Sequence, residues 1–108
     1  MPFAVLLTDD AVIDLEELHS YLDEHTVDGR ADHVLGQIET AFSKLNEHPE
    51  RGNFPKELVT IGIRDYREIH FKPYRIIYRI MGTNVYVYLM VDGRRDMQTL
   101  LLRRLLGG

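Results

Sequence analysis

The chain has 108 residues, of which 28% are charged and 44% are hydrophobic, and it contains neither Cys nor Trp. This length predicts a single domain over residues 1–108, and the absence of Cys excludes a disulfide scaffold, a thiolate nucleophile and Cys-ligated zinc. A net charge of −4 argues against a general nucleic-acid binder held by phosphate contacts. No apolar stretch approaches the ~20 residues of a membrane span, and no basic residue precedes the short N-terminal apolar run. We therefore expect a cytoplasmic protein without a signal peptide.

The N-terminal part of the chain predicts one strand and one helix. The apolar run at 3–7 is long enough for a strand, and Thr8 is a suitable N-cap for the helix that follows, because its side-chain oxygen can accept a backbone N–H. Apolar residues at spacings of three and four then indicate one helical stripe, formed by Ala11, Leu15, Leu18 and Leu22. The acidic residues on the other side of this helix are predicted to face water, namely Asp14, Glu17 and Glu24.

A second amphipathic helix is predicted after a break in the pattern at 24–29. Asp28 is predicted to cap it, and it must end by His48, because the residue before Pro49 disfavours the α conformation. Gly36 in its middle destabilises a helix by about 1 kcal/mol relative to Ala, which predicts a close approach between helices at that point. The apolar stripe consists of Ala31, Val34, Leu35, Ile38, Phe42 and Leu45. Two such helices with a short connection predict an antiparallel hairpin.

The C-terminal half changes to the alternating pattern of β-strands. Residues 49–65 contain two Pro and two Gly and predict an irregular connection. Three strands follow, predicted at 66–71, 74–80 and 85–91, the last of them apolar throughout as in a strand covered on both faces. A Leu-rich helix is predicted over 94–106. The predicted order β-α-α-β-β-β-α indicates an α+β domain, in which an antiparallel sheet carries the helical hairpin on one face.

Charge is unevenly distributed between the two halves of the chain. Residues 1–63 hold 4 basic and 13 acidic residues, whereas residues 64–108 hold 9 basic and 4 acidic residues. One interpretation is that the C-terminal half, with its balance of +5, presents a surface for an acidic partner. The alternative is that the two halves neutralise each other inside the domain.

Several C-terminal segments resemble a known family. Tyr74–Ile80, a turn, Val85–Leu89 and then Asp92–Asp96 resemble the C-terminal half of RelE/ParE toxins, which are the toxin components of bacterial type II toxin–antitoxin pairs and are often called plasmid stabilisation proteins. The first helix fits the same family, so the resemblance covers essentially the whole chain. It implies a RelE/ParE-like fold and growth inhibition that a cognate antitoxin neutralises.

One branch of this superfamily, RelE-like, cuts mRNA in the ribosomal A site. Such enzymes carry one basic residue in the third strand and another after the fourth, and Arg75 and Arg95 match these positions here. His70 would then be the general acid or base, since histidine is the side chain most often used for proton transfer in catalysis. The Tyr that RelE-like enzymes usually carry further on is absent, because the matching position falls in Leu100–Leu102. Under this alternative the catalytic residues are His70, Arg75 and Arg95.

The other branch, ParE-like, poisons DNA gyrase, and the resemblance favours it here. The segment Asp92–Asp96 resembles the ParE-type ending, which implies that Arg94, Arg95 and Asp96 bind the target and that no residue is catalytic. The alternative to target binding for Asp96 is a structural role, because this residue is also positioned to cap the last helix. A third alternative is a non-toxic family member that acts only as a binding partner.

We expect the antitoxin to bind the cationic strand face and the Leu-rich last helix, where a disordered acidic or amphipathic tail would find complementary charge and apolar surface. The residues predicted for this contact are Arg75, Arg79, Leu101 and Leu105. The structural alternative for the two arginines is pairing with Asp and Glu of the acidic helices. The other expected partner is gyrase or, in the alternative, the ribosome with mRNA. DNA is expected to be contacted only indirectly, through the antitoxin. The expected assembly is a homodimer or a toxin–antitoxin heterotetramer. No cofactor and no metal are expected, because the His residues fall at no ligand spacing.

Overall fold

The computed structural model describes residues 2–107, and its first elements are a short strand and two helices. Strand β1 spans Ala4–Leu7, helix α1 spans Asp9–His25 and helix α2 spans Arg30–Ser43. The Thr8 side chain accepts the Ala11 N–H and so caps α1, which confirms that prediction. The N-cap of α2 is Gly29 rather than Asp28, because the chain adopts a left-handed conformation there (φ 82°) that glycine accommodates without steric cost.

The sheet has four strands in the order β1-β4-β3-β2. Strand β2 spans Arg67–Phe71, β3 spans Tyr74–Met81 and β4 spans Asn84–Asp92; β2, β3 and β4 form an antiparallel meander, as predicted. Strand β1 is the exception, because it pairs parallel to β4. The register of β3 against β4 shifts at residues 77–78, so that Tyr88 of β4 has no partner across the ladder and forms a bulge.

The sheet is covered on both faces. Helices α1 and α2 pack one face, where the core includes Leu35, Ile38, Ile76, Val85 and Val87. A short helix, α3 (Lys56–Val59), and the last helix, α4 (Met97–Leu106), lie on the other face, where the core includes Leu58, Ile77, Leu89, Leu100 and Leu101. Burial on both faces accounts for the continuous apolar sequence of β4, as predicted. The order of the main elements is also as predicted.

The connection between the hairpin and the meander is more ordered than the sequence indicates. It contains two 3₁₀ turns, Lys44–Asn46 and Pro49–Arg51, in addition to α3. The buried Tyr78 hydroxyl donates to the Pro49 carbonyl at 2.6 Å and accepts the Gly52 N–H at 3.0 Å, and burial raises the pKa of this phenol. This side chain therefore fixes the connection to the sheet by long-range hydrogen bonds that no local sequence pattern reveals.

Two further predictions about the helices are wrong. Gly36 makes no close approach, since a Cβ built at this position meets nothing within 4 Å. Asp14 does not face water, since its carboxylate is bonded to β4 and to α4 (below). In both cases the helical period correctly identifies the apolar stripe, but it does not show which neighbouring element lies beside the remaining positions.

Candidate partner-binding surface

Arg75, on β3, lies in a nearly buried ion-pair cluster on the α4 side of the sheet. Its two terminal nitrogens each donate to a carboxylate oxygen of Glu57, on α3, at 2.8 Å. Its Nε donates to Glu68 Oε1, on β2, at 2.6 Å. The Arg75 side chain is 11% exposed. The arginine therefore pairs with carboxylates of α3 and β2, not with the acidic helices α1 and α2.

The charges of this cluster stabilise one another. The hydrogen bond from Arg75 lowers the pKa of Glu57 below its usual value, although burial partly opposes the shift. The bond to Glu57 in turn raises the pKa of Arg75. The backbone also approaches closely, since a Cβ at Gly93 would lie 2.7 Å from Arg75 Cδ. With two carboxylates on one guanidinium, these bonds favour a structural role for Arg75 over direct contact with a partner.

His70 is adjacent to this cluster, in register with Arg75 across β2 and β3. Its side chain is 54% exposed, and its Nε2 lies 3.5 Å from Glu68 Oε1. Arg95, the third residue of the ribonuclease alternative, lies on the loop after β4. Within residues 2–107 it has no hydrogen bond or ion pair with His70 or Arg75. The structure therefore places His70 beside Arg75, but no hydrogen bond or ion pair in the described part of the chain links Arg95 to either of them.

The loop of residues 93–96 holds Arg94 in a defined position. The Asp92 carboxylate accepts the Arg94 backbone N–H at 2.9 Å and the Arg94 Nε–H at 2.9 Å. The Arg94 side-chain bond lowers the pKa of Asp92 to about 2, so this carboxylate is ionised at neutral pH. The Arg94 side chain is nevertheless 79% exposed. Arg95 is also exposed, and no carboxylate in the described part of the chain pairs with it.

Asp96 ends this loop and begins α4. Its carboxylate accepts the Thr99 N–H at 3.3 Å, which confirms the predicted N-cap. Hydrogen bonding from the Thr99 side chain, together with the Thr99 backbone N–H, lowers the pKa of Asp96. Arg94 and Arg95 therefore lie between two carboxylates. Asp92 holds Arg94, and Asp96 caps the start of α4.

A groove of about 500 Å³ separates this loop from α1. It is lined on the α1 side by Leu18 and Tyr21 and on the sheet side by Tyr74, Met90 and Asp92, with both arginines at its rim. No sequence pattern predicts this groove. Tyr21 and Tyr74 are 53 positions apart in the chain, and no local spacing brings them together.

Asp14 closes the other end of the groove and links three elements. Its Oδ2 accepts the Met90 N–H at 3.2 Å, and both its oxygens accept from Arg104 of α4, at 3.1 and 2.9 Å. Arg104 also donates to the Tyr88 carbonyl at 3.2 Å. Because β1 pairs with β4 only over Asn84–Val87, Asp14 supplies the acceptor that a longer β1 would have given Met90.

The last helix presents other leucines than those predicted for the antitoxin contact. Leu101 is fully buried in the core and Leu105 is partly buried against it, so a partner cannot reach Leu101 while α4 stays in place. The exposed leucines are Leu102 and Leu106. On β3, Arg79 is 35% exposed and lies 3.5 Å from Asp65, with its guanidinium 5.7 Å from the centre of the Tyr66 ring.

Over residues 2–107, no helix is both long and apolar enough to cross a membrane. In the same part of the chain, no group of three or more His, Cys, Asp or Glu side chains is arranged to hold a metal ion.

Comparison with known proteins gives a family match over most of the chain. Residues 5–97 match the family described as the ParE toxin of the type II toxin–antitoxin system parDE. No curated protein gives a significant match.

Solved structures resemble the fold. One is the chromosomal ParDE system from P. aeruginosa, with a TM-score of 0.69 and 13% identity over 83% of this chain and 95% of that one. The toxin–antitoxin complex RelBE2 from Mycobacterium tuberculosis has a TM-score of 0.61 and 23% identity over 85% of this chain and 92% of that one. A mutant of the E. coli toxin RelE in the free state has a TM-score of 0.64 and 16% identity over 93% of each chain. At these identities the likeness concerns the fold alone.

Proposed function

Since the chain belongs to the ParE toxin family and is the toxin of a type II toxin–antitoxin system, we propose that it inhibits growth by binding and poisoning DNA gyrase. The inhibition is stoichiometric and needs no catalytic residue. The target-binding residues are Arg94 and Arg95, on a loop that Asp96 holds at the start of α4.

The observation that carries this proposal is the exposure of Arg94 and Arg95 on a loop fixed at both ends. Asp92 holds Arg94 by backbone and side-chain bonds, and Asp96 caps α4. A fixed arginine loses little conformational freedom on binding, and its planar guanidinium suits a polar anchor at the centre of an interface. An inhibitor that works by binding requires such a shaped surface rather than a group with a tuned pKa.

The Arg75 cluster supports binding over phosphodiester cleavage. A ribonuclease needs cations that stabilise the negative charge developing on the phosphate. Arg75 already donates to the carboxylates of Glu57 and Glu68. A phosphate at this point would have to displace one carboxylate and approach the other, which is electrostatically unfavourable.

Purified protein and gyrase provide the test. We expect the wild type to block supercoiling and to increase the amount of covalent gyrase–DNA cleavage complex. His70→Ala should inhibit equally, because His70 has no role in binding. If supercoiling and cleavage-complex formation are unchanged at excess protein, the gyrase proposal is wrong. Primer extension on ribosome-bound message tests the alternative, because A-site cuts that disappear in Arg95→Ala would assign the protein to the ribonuclease branch.

The cognate antitoxin is the second partner. We propose that it is the small protein encoded beside the toxin gene. Co-expression should yield a complex that co-purifies and should relieve growth inhibition. A neighbour that neither binds nor relieves toxicity would contradict this assignment. Normal growth on strong induction of the toxin alone would instead favour the non-toxic family member.

A further inference from the structure

Arg75 contacts the start of the loop of residues 93–96. We propose that Arg75 is a positioning residue for target binding: two carboxylates fix its guanidinium, and its aliphatic stem supports Gly93 and thereby sets the position of Arg94 and Arg95. The inference rests on the proposed function, because Arg94 and Arg95 are the target-binding residues of that proposal.

The first support is the contact between the Arg75 stem and Gly93, which leaves no space for a side chain. A Cβ built on Gly93 would lie 2.7 Å from Arg75 Cδ, 2.9 Å from Arg75 Cγ and 3.4 Å from the Pro73 carbonyl oxygen. Carbon atoms in favourable contact are about 3.5–4.0 Å apart. The φ angle of Gly93 is not positive, so the contact with Arg75, and not the backbone conformation, is what requires glycine here.

The second support is that the Arg75 stem cannot move aside. Both terminal nitrogens donate to Glu57 at 2.8 Å, and Nε donates to Glu68 at 2.6 Å. Bonds from all three nitrogens fix the plane of the guanidinium and hence the place of Cδ. A rotation of the stem away from Gly93 would break at least one of these nearly buried bonds. A displacement at position 93 is therefore passed to the loop and is not absorbed by Arg75.

The third support is that the loop is joined to Gly93 as a unit. The Gly93 N–H donates to the Pro73 carbonyl at 2.8 Å, and the Arg95 N–H donates to the Asp92 carbonyl at 3.2 Å, which closes a turn with Gly93 and Arg94 at its centre. A shift of Gly93 therefore moves both loop arginines. Because a binding surface held in its bound geometry loses less freedom on association, such a shift should weaken target binding.

The stem and the guanidinium of Arg75 can be tested separately. Lys keeps the Cγ and Cδ positions that contact Gly93 but replaces the guanidinium donors by one ammonium. Arg75→Ala should need at least tenfold more protein for the same amount of gyrase cleavage complex. Arg75→Lys should rescue inhibition to within twofold of the wild type, although its urea midpoint of unfolding should lie below that of the wild type.

Gly93→Ala tests the same contact with Arg75 intact, which keeps the inference testable if Arg75→Ala does not fold. We expect this variant, too, to need at least tenfold more protein. Gly36→Ala is the matched control, because its φ is not positive and its Cβ meets nothing within 4 Å. It should inhibit as the wild type does.

Amide hydrogen exchange at position 93 reports the start of the loop without gyrase, because this N–H is bonded to the Pro73 carbonyl. The protection factor should fall at least tenfold in Gly93→Ala. It should stay at the wild-type value in Arg75→Lys and Gly36→Ala. A circular-dichroism melt of each variant shows whether it is folded.

The outcomes separate this inference from the proposed function. Wild-type inhibition by Gly93→Ala would overturn it, as would equal losses in Gly36→Ala or a folded Arg75→Lys that inhibits as poorly as Arg75→Ala. If Gly93→Ala inhibits poorly but keeps its amide protection, the added methyl group obstructs the target directly and the inference is wrong. If the wild type never inhibits gyrase while the exchange pattern holds, only the gyrase proposal fails.

Discussion

Two arginine sites, about twenty residues apart in the chain, use the same side chain in opposite ways. Arg75 is 11% exposed and donates to two carboxylates from two other elements. Arg94 is 79% exposed, and among residues 2–107 its side chain pairs only with Asp92, two residues earlier. The first connects β3 to β2 and α3, whereas the second leaves most of its surface in solvent.

This difference shows where charge stabilises the fold and where it is available to a partner. Removing Arg75 leaves buried carboxylates without a cation, whereas removing Arg94 leaves a carboxylate that water can solvate. We therefore propose that the Arg75 cluster stabilises the fold and that the loop of residues 93–96 binds the target.

Arg75→Ala is expected to lower the free energy of unfolding by about 3–5 kcal/mol, the range typical for the removal of one partner from a buried ion pair. The physical reason is that Glu68 and Glu57 then face each other without a cation. Arg79→Ala is the matched control on the same strand face, because its contact with Asp65 is partly exposed and should contribute less than about 1 kcal/mol. Denaturant unfolding measures both values. Equal losses in the two variants would contradict the assignment of Arg75.

Asp14→Ala tests whether the other buried pair also stabilises the fold. This substitution should lower the free energy of unfolding by about 2 kcal/mol, because the Met90 N–H and the Arg104 guanidinium both lose the Asp14 carboxylate as acceptor. Glu17→Ala, on the next turn of the same helix, should change the free energy by less than about 0.5 kcal/mol because Glu17 is exposed. The double variant with Arg104→Ala should be less destabilised than the sum of the single variants. Additive losses would show that the pair does not act as a unit.

The pH dependence of unfolding provides a smaller and independent test. The pKa of Glu57 is lowered in the folded protein by Arg75, so its contribution to stability is complete above the unfolded pKa and is lost as the pH falls through the folded pKa. The free energy of unfolding should therefore decrease on acidification below about pH 4.5, the usual range of a Glu carboxyl. Glu57→Gln should show a shallower decrease in urea titrations at successive pH values. A slope equal to that of the wild type would exclude Glu57 as a source of the acid sensitivity.

The sequence predicts most of the fold because the apolar pattern is local and regular. The stripes of α1 and α2, the alternation in β3, and the caps Thr8 and Asp96 depend on residues within a few positions of one another. They lie in the structure as predicted.

The candidate site is less predictable, because its contacts join distant parts of the chain. Asp14 lies on the polar side of a helical wheel, and its role arises only because β1 is too short to cover Met90. One partner of Arg75, Glu57, comes from a segment whose Pro and Gly content predicts an irregular connection, and the other, Glu68, lies on the neighbouring strand β2. The groove joins side chains of α1 to the end of β4. The exposure of Arg94 and Arg95 agrees with the predicted contact surface, whereas their role in target binding remains a proposal.

Gyrase inhibition by the double variant Arg94→Glu/Arg95→Glu is the most direct test of this division between the two arginine sites. We expect that the variant melts at the wild-type temperature and that at least tenfold more of it is needed to produce the same amount of cleavage complex. Arg103→Glu, which changes an exposed arginine of α4 outside the groove, should inhibit as the wild type does. Undiminished inhibition by the folded double variant would contradict the assignment of the target-binding surface to this loop.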